Sequence, residues 1–428
     1  MKIYEKVYEY YINQIRNGGL EIGQKMPSIR ECEKSLDVSK TSVETAYQQL
    51  AADGYIYSVE KVGFFVSEMA KRNHLEDKAA TNSKISEDRI IKYDFATIGE
   101  DKLVSCLDLW RRYMKSALRQ EDRLLSYADN QGEEDLREEI VKYVRRTRNI
   151  ICTKEDVVIG AGFQNLLQIL IALVPGERTI SFPTKDFIEG ATTFKNAGFE
   201  VAYRNKESHV IYVAPSYMTK WGEVMTMKRR RELINHAIKN NHLIIEDDYQ
   251  NDFVFSTKAT PSLYALTGGE NTAFLGSFSR VLLPSVRISY LILPKGVREK
   301  YQGIKPYYNQ TASKAEQIAL SQFLRDGHLR RHLKKIKRLY GEKRQRLQQC
   351  VEKKFGDNTE ILFGDSGMEM GILIREPNVK ERLEKSSVKV TILQKEKDDV
   401  LILLSCSKIS EENIEKGIEE LQKSISKE

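Results

Sequence analysis

Three short stretches, far apart in the chain, carry residue types able to hold a charged small molecule. Gly160-Ala161-Gly162-Phe163-Gln164 runs from an apolar segment into a helical pattern. Glycines at such a junction let the backbone approach a phosphate, and the helix start adds free N–H groups and the positive end of its dipole. Taken alone, the same pattern serves any strand-to-helix turn that needs glycine for its geometry. Glu246-Asp247-Asp248-Tyr249 closes a second apolar run, where a buried acid could hold a protonated ring nitrogen. Those acids could equally form a plain strand-end turn, with Arg287 as an ion-pair partner in the core. The third stretch is Ser277-Phe278-Ser279-Arg280, followed by Arg287. Arg280 sets a chemical limit: a guanidinium stays protonated and does not condense with an aldehyde as a free amine does. Its fork of donors suits a phosphate or a carboxylate instead.

The elements that must position these residues follow from the hydrophobic pattern. Val157-Val158-Ile159, Ile180-Ser181-Phe182, Val210-Ile211-Tyr212-Val213, Leu243-Ile244-Ile245, Ala273-Phe274-Leu275 and Ile288 to Leu293 are short apolar strands. Helical stretches such as 166–174 and 229–239 fall between them. This alternation predicts an α/β body, a mostly parallel sheet with helices on both faces, and a ligand at the carboxyl ends of the strands. Further on, Leu329, Leu333, Ile336 and Tyr340 line one face of a helix surrounded by Arg330, Arg331, Lys334, Lys335, Lys337 and Arg338. The expected reading is a solvated, snorkelling face, with contact to nucleic acid the lesser alternative.

The first part of the chain has a different period. Ile3, Val7, Tyr8, Tyr11, Ile12 and Ile15 repeat at helical spacing, and Gly18-Gly19 ends that helix. Ser28 and Glu31 form a capping box at the start of a second helix, and Thr41 with Glu44 is read as another. Val43, Ala46, Tyr47 and Leu50 bury one side of this third helix and leave Lys40, Ser42, Thr45 and Gln48 outward near its N-terminal end. That is where a recognition helix meets base edges and phosphates. Tyr55 to Ser58 and Gly63 to Val66 pair as a hairpin around Lys61. The expected division is residues 1–68 as a winged helix-turn-helix domain, 69–93 as a polar linker and 94–428 as the large domain.

Composition narrows the classes. The net charge is +7, yet residues 1–70 hold 8 Lys/Arg against 10 Asp/Glu. Nucleic-acid binding must therefore rest on where cations stand. The five cysteines are widely spaced with no Cys-x-x-Cys pair, so neither a disulfide framework nor a metal site is expected, and a reducing cytoplasm fits. No apolar run approaches the ~20 residues of a membrane span, and no signal peptide is read at the N-terminus.

Gly23-x-Lys25-x-Pro27-Ser28-x-Arg30, Val38-Ser39-Lys40-x-x-Val43, Ala46-Tyr47-x-x-Leu50 and Gly54-Tyr55 resemble the GntR-type winged helix. The resemblance implies DNA contacts by Arg30, Lys40, Thr41, Ser42 and Lys61, with Gly63 letting the wing approach the minor groove. Val62-Gly63-Phe64-Phe65-Val66 departs from the family's Gly-x-Gly-Thr-Phe-Val. The ordered set of stretches in the large domain, with Tyr127-Ala128-Asp129-x-x-Gly132 and Ala214-Pro215-Ser216, resembles fold-type I aminotransferases with a small C-terminal α+β lobe. A GntR-type reader joined to that body is similar to the MocR family, across essentially the whole chain. By resemblance, Asp247 would pair with the pyridine nitrogen of pyridoxal phosphate and Tyr249 with its ring hydroxyl. Ala161, Gly162, Ser277, Ser279 and Arg287 would hold the phosphate, Phe187 would stack on the ring, and Tyr127 would reach across from a partner subunit.

Three departures set the functional expectation. Arg280 stands where the family has its Schiff-base lysine. Tyr217-Met218-Thr219-Lys220-Trp221-Gly222 replaces a His-Gln-x-Pro-x-Gly-like run, and no arginine follows Arg382 to grip a substrate carboxylate. The expectation is a transcriptional regulator and not an enzyme, in the bacterial cytoplasm at the nucleoid. It would bind double-stranded DNA at two half-sites as a head-to-tail homodimer. Pyridoxal phosphate would be held only non-covalently, or another anionic effector would take its place. The alternatives are a pyridoxal-phosphate-dependent aminotransferase and a ligand-blind dimeric repressor.

Overall fold

The computed structural model describes residues 3–16, 18–60, 62–67, 90–99, 101, 105–185, 187–255, 260–356, 359–376, 378–394 and 399–425. They fall into two units, divided at Arg89/Ile90.

The first unit starts with α1 (Ile3–Arg16), α2 (Ile29–Leu36) and α3 (Lys40–Ala52), and closes with the antiparallel hairpin β1 (Ile56–Val59) and β2 (Gly63–Val66). The capping box is present at α2. The Ser28 N–H donates to Glu31 Oε2 at 2.8 Å, and the Glu31 N–H donates to Ser28 Oγ at 3.3 Å. The bond from the Ser28 N–H, and then the Ser28 side chain, hold the Glu31 carboxyl below its usual pKa. Ser28→Ala is expected to destabilise this unit by about 0.5–2 kcal/mol, read as an earlier loss of helical signal in urea. The expected cap at Thr41 is corrected: Ser39 caps α3, its Oγ accepting from the Ser42 N–H. Thr41 lies inside the first turn, where its carbonyl accepts from Thr45 Oγ1 at 2.8 Å. Either residue offers a hydroxyl; the turn after Asp37 (φ 50°) decides which one stands at the helix start.

The core of this unit is built around Tyr47. Its ring meets Tyr11 and Phe64 edge-on, at 5.5 and 5.4 Å between centroids, and its hydroxyl donates to the Pro27 carbonyl at 2.9 Å. One side chain thus ties α3 to α1, to the wing and to the start of α2.

The second unit begins earlier than expected. Lys92 and Tyr93 already bond to Ser387 O, and β3 (Tyr93–Asp94) pairs with β13 (Val388–Lys389). Residues 90–93 therefore belong to the large unit; the rest of the expected linker lies outside the described residues. The seven-stranded sheet contains β4 (Val157–Gly160), β5 (Thr179–Phe182), β6 (Glu200–Tyr203), β7 (Val210–Val213), β8 (Leu243–Asp247), β9 (Thr272–Ser277) and β10 (Ser289–Ile292), in the order β4-β10-β9-β8-β7-β5-β6. Its mostly parallel character is as expected, with one element missed and one reversed. β6 is half exposed and too weakly apolar to read from sequence. β10 runs antiparallel to both β4 and β9. The flanking Phe163–Leu173 helix is apolar nearly all round and buries Leu166, Leu167, Ile169 and Leu170, as a covered helix must.

A small lobe follows the long His328–Phe355 helix: β11 (Glu360–Leu362), β12 (Glu369–Arg375), β14 (Thr391–Gln394) and β15 (Asp399–Ser405), ordered β11-β12-β15-β14 and antiparallel throughout. The Glu411–Ile425 helix packs there through Ile414, Ile418 and Leu421. Among the described residues, no helix is long and apolar enough to cross a membrane.

Candidate functional sites

In the first unit, α3 buries Val43, Ala46, Tyr47 and Leu50 and keeps Lys40, Thr41, Thr45 and Gln48 in solvent, with Ser42 half-buried. Arg30 is exposed on α2. Lys40 reaches Glu44 at only 3.6 Å across an exposed i,i+4 pair, an interaction of a few tenths of a kcal/mol that a phosphate would outcompete. Gly63 has φ 128°, reserved in practice for glycine, and a Cβ built there would stand 3.2 Å from Lys25 Cε. Lys25 is thus a cation beside the wing that sequence reasoning quoted in a motif but did not assign. Lys61 lies outside the described residues.

In the second unit the three chemical stretches do converge, at one edge of the sheet. Asp247, Ser277 and Gly160 end β8, β9 and β4. Because β10 is reversed, its beginning lies at that same edge, with Ser289 registered against both Ser277 and Gly160. Arg287, just before β10, thereby joins residues that close the other strands.

Strand alternation splits the acidic run between two environments. Glu246 and Asp248 point into the protein. Glu246 accepts from the Leu263 and Tyr264 N–H groups at 2.8 and 2.9 Å, capping a short helix. Asp248 is gripped by Arg148 at 2.6 Å, and burial, opposed by that arginine, pushes its carboxyl up to about 7. The alternative of an Asp248–Arg287 core pair is therefore not realised. Asp247 faces the opposite way. It accepts from the Tyr212 hydroxyl and, at 3.0 Å, from the Tyr249 N–H, and burial raises its pKa. Phe187 stacks on Tyr212 with centroids 4.6 Å apart, so its flat partner in this structure is another side chain.

Gly162 (φ 95°) starts the Phe163–Leu173 helix, and a Cβ there would come within 3.0 Å of Arg287 Nη2. Arg287 is exposed and has no hydrogen bond or ion pair among the described residues. The other expected phosphate ligands are turned inward. The Ala161 N–H donates to Thr311 Oγ1 at 2.9 Å, Ser279 Oγ donates to the Val286 carbonyl at 2.6 Å, and Ser277 Oγ accepts from Ser289 Oγ at 3.0 Å. Tyr127 is fully exposed and joins none of them within its own chain. Gly162→Ala is expected to place both strain and a methyl group in the cradle, costing about 1–3 kcal/mol. It should remove any phosphate-dependent rise in melting temperature, measured by thermal shift.

Arg280 is the most enclosed cation of the group. Its Nη2 lies 3.0 Å from Glu369 Oε1 at the start of β12, with the two side chains only 9% and 6% exposed. Burial alone would lower the guanidinium pKa; Glu369, then the tyrosines at 249 and 217, reverse that and raise it. The ring of Tyr249 lies 5.6 Å from the guanidinium carbon, and Tyr217 donates to Glu369 Oε2 at 3.2 Å. Nε of Arg280 is buried without a hydrogen-bond partner among the described residues. A cavity of about 180 Å³ opens here, lined by Tyr249, Ser279, Arg280, Arg287, Tyr340 and Met368 among others. That is below the about 300–1,000 Å³ of pockets for drug-sized ligands. Glu369 was not found from sequence: one acid in Met368-Glu369-Met370 carries no signal of a partner 89 residues away. Of the residues expected to hold pyridoxal phosphate, this cavity is lined by Tyr249, Ser279, Arg280 and Arg287 but by neither Gly162 nor Asp247. The guanidinium at position 280, already held by a carboxylate, offers no free amine to condense with an aldehyde.

Residues 3–66 match the bacterial regulatory proteins of the gntR family, and residues 100–398 match aminotransferase class I and II. The uncharacterized HTH-type transcriptional regulator YdeL of Bacillus subtilis is 29% identical, over 98% of this chain and 96% of its own. The HTH-type pyridoxine biosynthesis transcriptional regulator PdxR of Corynebacterium glutamicum is 26% identical, over 89% of this chain and 85% of its own. Among solved structures, an archaeal alanine:glyoxylate aminotransferase superposes with a TM-score of 0.67 at 21% identity, covering 83% of this chain and 94% of the other. At that identity the likeness shows the fold alone.

Proposed function

The chain belongs to the aminotransferase class I and II family, with a gntR-family segment ahead of that body, and from this we propose that it is a MocR-type, DNA-binding transcriptional regulator. Its aminotransferase-like body serves as a dimerisation and effector domain. One observation carries the reading: α3 keeps Lys40, Thr41, Thr45 and Gln48 in solvent, on a segment that matches a regulatory family over nearly its whole length. Arg30, Ser42, Gly63 and Lys61 complete the DNA surface in this reading. A two-fold dimer would present two such readers to two half-sites.

In the body, we take Arg280 to stand where an aminotransferase keeps its lysine, which makes amino-group transfer chemically closed to this chain. The effector is then an anion held reversibly. Pyridoxal phosphate is one candidate, supported by the name of the relative PdxR and by the Gly162, Arg287 and Asp247 arrangement. Phe187 would stack on its ring, Tyr249 would pair with its ring hydroxyl, and the partner subunit would supply Tyr127. A ligand-blind scaffold is the second reading. It is favoured by the inward bonds of Ala161, Ser277 and Ser279 and by the small size of the cavity.

Footprinting of the DNA upstream of the protein's own gene tests the first claim. Two protected half-sites at submicromolar protein are expected, and no protected site under any condition would sink it. Repeating the footprint with pyridoxal phosphate, inorganic phosphate and small carboxylates separates an effector domain from a blind scaffold. The absorbance spectrum after incubation with pyridoxal phosphate tests the chemistry: a borohydride-trapped adduct on the chain would contradict a non-covalent site.

A further inference from the structure

We propose that the large unit carries a second, separate anion site, built for a small polyphosphate ester with an apolar or aromatic body, of the nucleoside di- or triphosphate kind. It is a cleft of about 970 Å³ between the end of the Glu134–Arg148 helix, the residues Asn251, Asp252, Val254 and Thr260, and the start of the His328–Phe355 helix. The inference does not rest on the effector reading above, whose cavity shares none of its lining residues.

Charge sets the ligand class. Arg146, Arg330, Arg331, Lys334 and Lys337 line the cleft, and none forms an ion pair among the described residues. Arg330, Lys334 and Lys337 follow at i, i+4 and i+7, so they form one stripe about 10 Å long on the helix. The lining acid Asp252 is already committed, 3.0 Å from Arg148 Nη2 and bonded by the Tyr143 hydroxyl. A monoanion would leave most of these cations uncompensated; a chain of two or three phosphates along the stripe would not.

The floor adds to this. Arg148, whose side chain is 6% exposed, has an Nη2 that completes no hydrogen bond among the described residues despite its nearness to Asp252. The 28-residue His328–Phe355 helix begins in the cleft at Gly327, with no side chain capping it. Its free N–H groups and dipole favour an oxygen anion there. Leu324, Leu329, Leu333, Val224 and Val254 supply apolar wall for an uncharged body.

Shape excludes the obvious larger polyanion. A DNA duplex is wider than a space of this volume, so it could touch the rim but not enter. The basic residues around Leu329 and Leu333 are solvent-exposed, as expected from sequence, and four of them, Arg330, Arg331, Lys334 and Lys337, also line this concavity.

The test is isothermal titration calorimetry of the full-length protein with ATP, with ADP and with inorganic triphosphate. Micromolar binding of ATP is expected, weakening as salt rises. Lys334→Ala/Lys337→Ala should weaken it at least about tenfold with an unchanged far-UV spectrum, and Arg330→Ala gives an independent reading should the double variant misfold. Arg287→Ala should leave ATP binding intact, which separates this site from the smaller cavity. Silence of all three probes at millimolar concentration would overturn the proposal. So would binding that persists in both cleft variants, or binding abolished by Arg287→Ala. Loss of operator affinity in Lys334→Ala/Lys337→Ala with ATP still silent would assign the cations to duplex DNA and equally overturn it.

Discussion

Replacing Glu369 with leucine is expected to destabilise the large unit by about 3–5 kcal/mol, because it leaves a buried guanidinium without its counter-charge. The geometry makes the case. Arg280 and Glu369 meet at 3.0 Å with both side chains more than nine-tenths buried, and Arg280 Nε already lacks a partner among the described residues. Glu369 also accepts from the Met368 N–H and the Tyr217 hydroxyl, so its loss orphans donors besides the arginine. The pair joins the loop after β9 to the first residue of β12, hence the sheet to the small lobe. Arg280→Met/Glu369→Leu should recover most of the lost stability, since a well-packed apolar pair replaces a buried ion pair at little or no cost. Thermal and urea unfolding of the wild type and the two variants measure this. A single variant as stable as the wild type would show that water reaches the arginine after all.

Tyr47→Ala should be as damaging in the first unit. Truncating a large buried aromatic costs about 3–5 kcal/mol, and a domain of this size has only about 5–15 kcal/mol in total. Tyr47 is fully buried, and its ring is the contact shared by Tyr11 and Phe64. The expected result is loss of operator binding with the large unit's melting unchanged. Tyr47→Phe keeps the ring and removes the hydroxyl with its bond to the Pro27 carbonyl, so about 1 kcal/mol is expected, with DNA binding retained. If Tyr47→Ala bound DNA as well as the wild type, α3 would not be the element that positions the contacts.

The smaller unit was legible almost residue by residue, since helix periodicity and caps are written within a few positions of one another. One slip, Thr41 read as the cap in place of Ser39, is a choice between two hydroxyls in the same turn, settled by the backbone at Asp37. In the larger unit the strand ends carrying Gly160, Asp247 and Ser277 were also readable, each being a local change from an apolar run to polar residues.

What the sequence could not supply was direction and distance. Nothing local says that β10 runs backwards, and only that reversal brings Arg287 to the edge where the other strands end. Nothing near Asp248 announces Arg148, 100 residues away, as the cation that claims it and leaves Arg287 free. The amino-acid order by itself determined the periods, the caps and the absence of an amine at position 280, because those properties belong to neighbouring atoms and to one side chain's chemistry. The tertiary structure alone decided which distant charges meet: Arg280 with Glu369, Arg148 with Asp248, and a row of basic residues around a cleft. A side chain's partner is set by chain topology and burial, and neither is a local property.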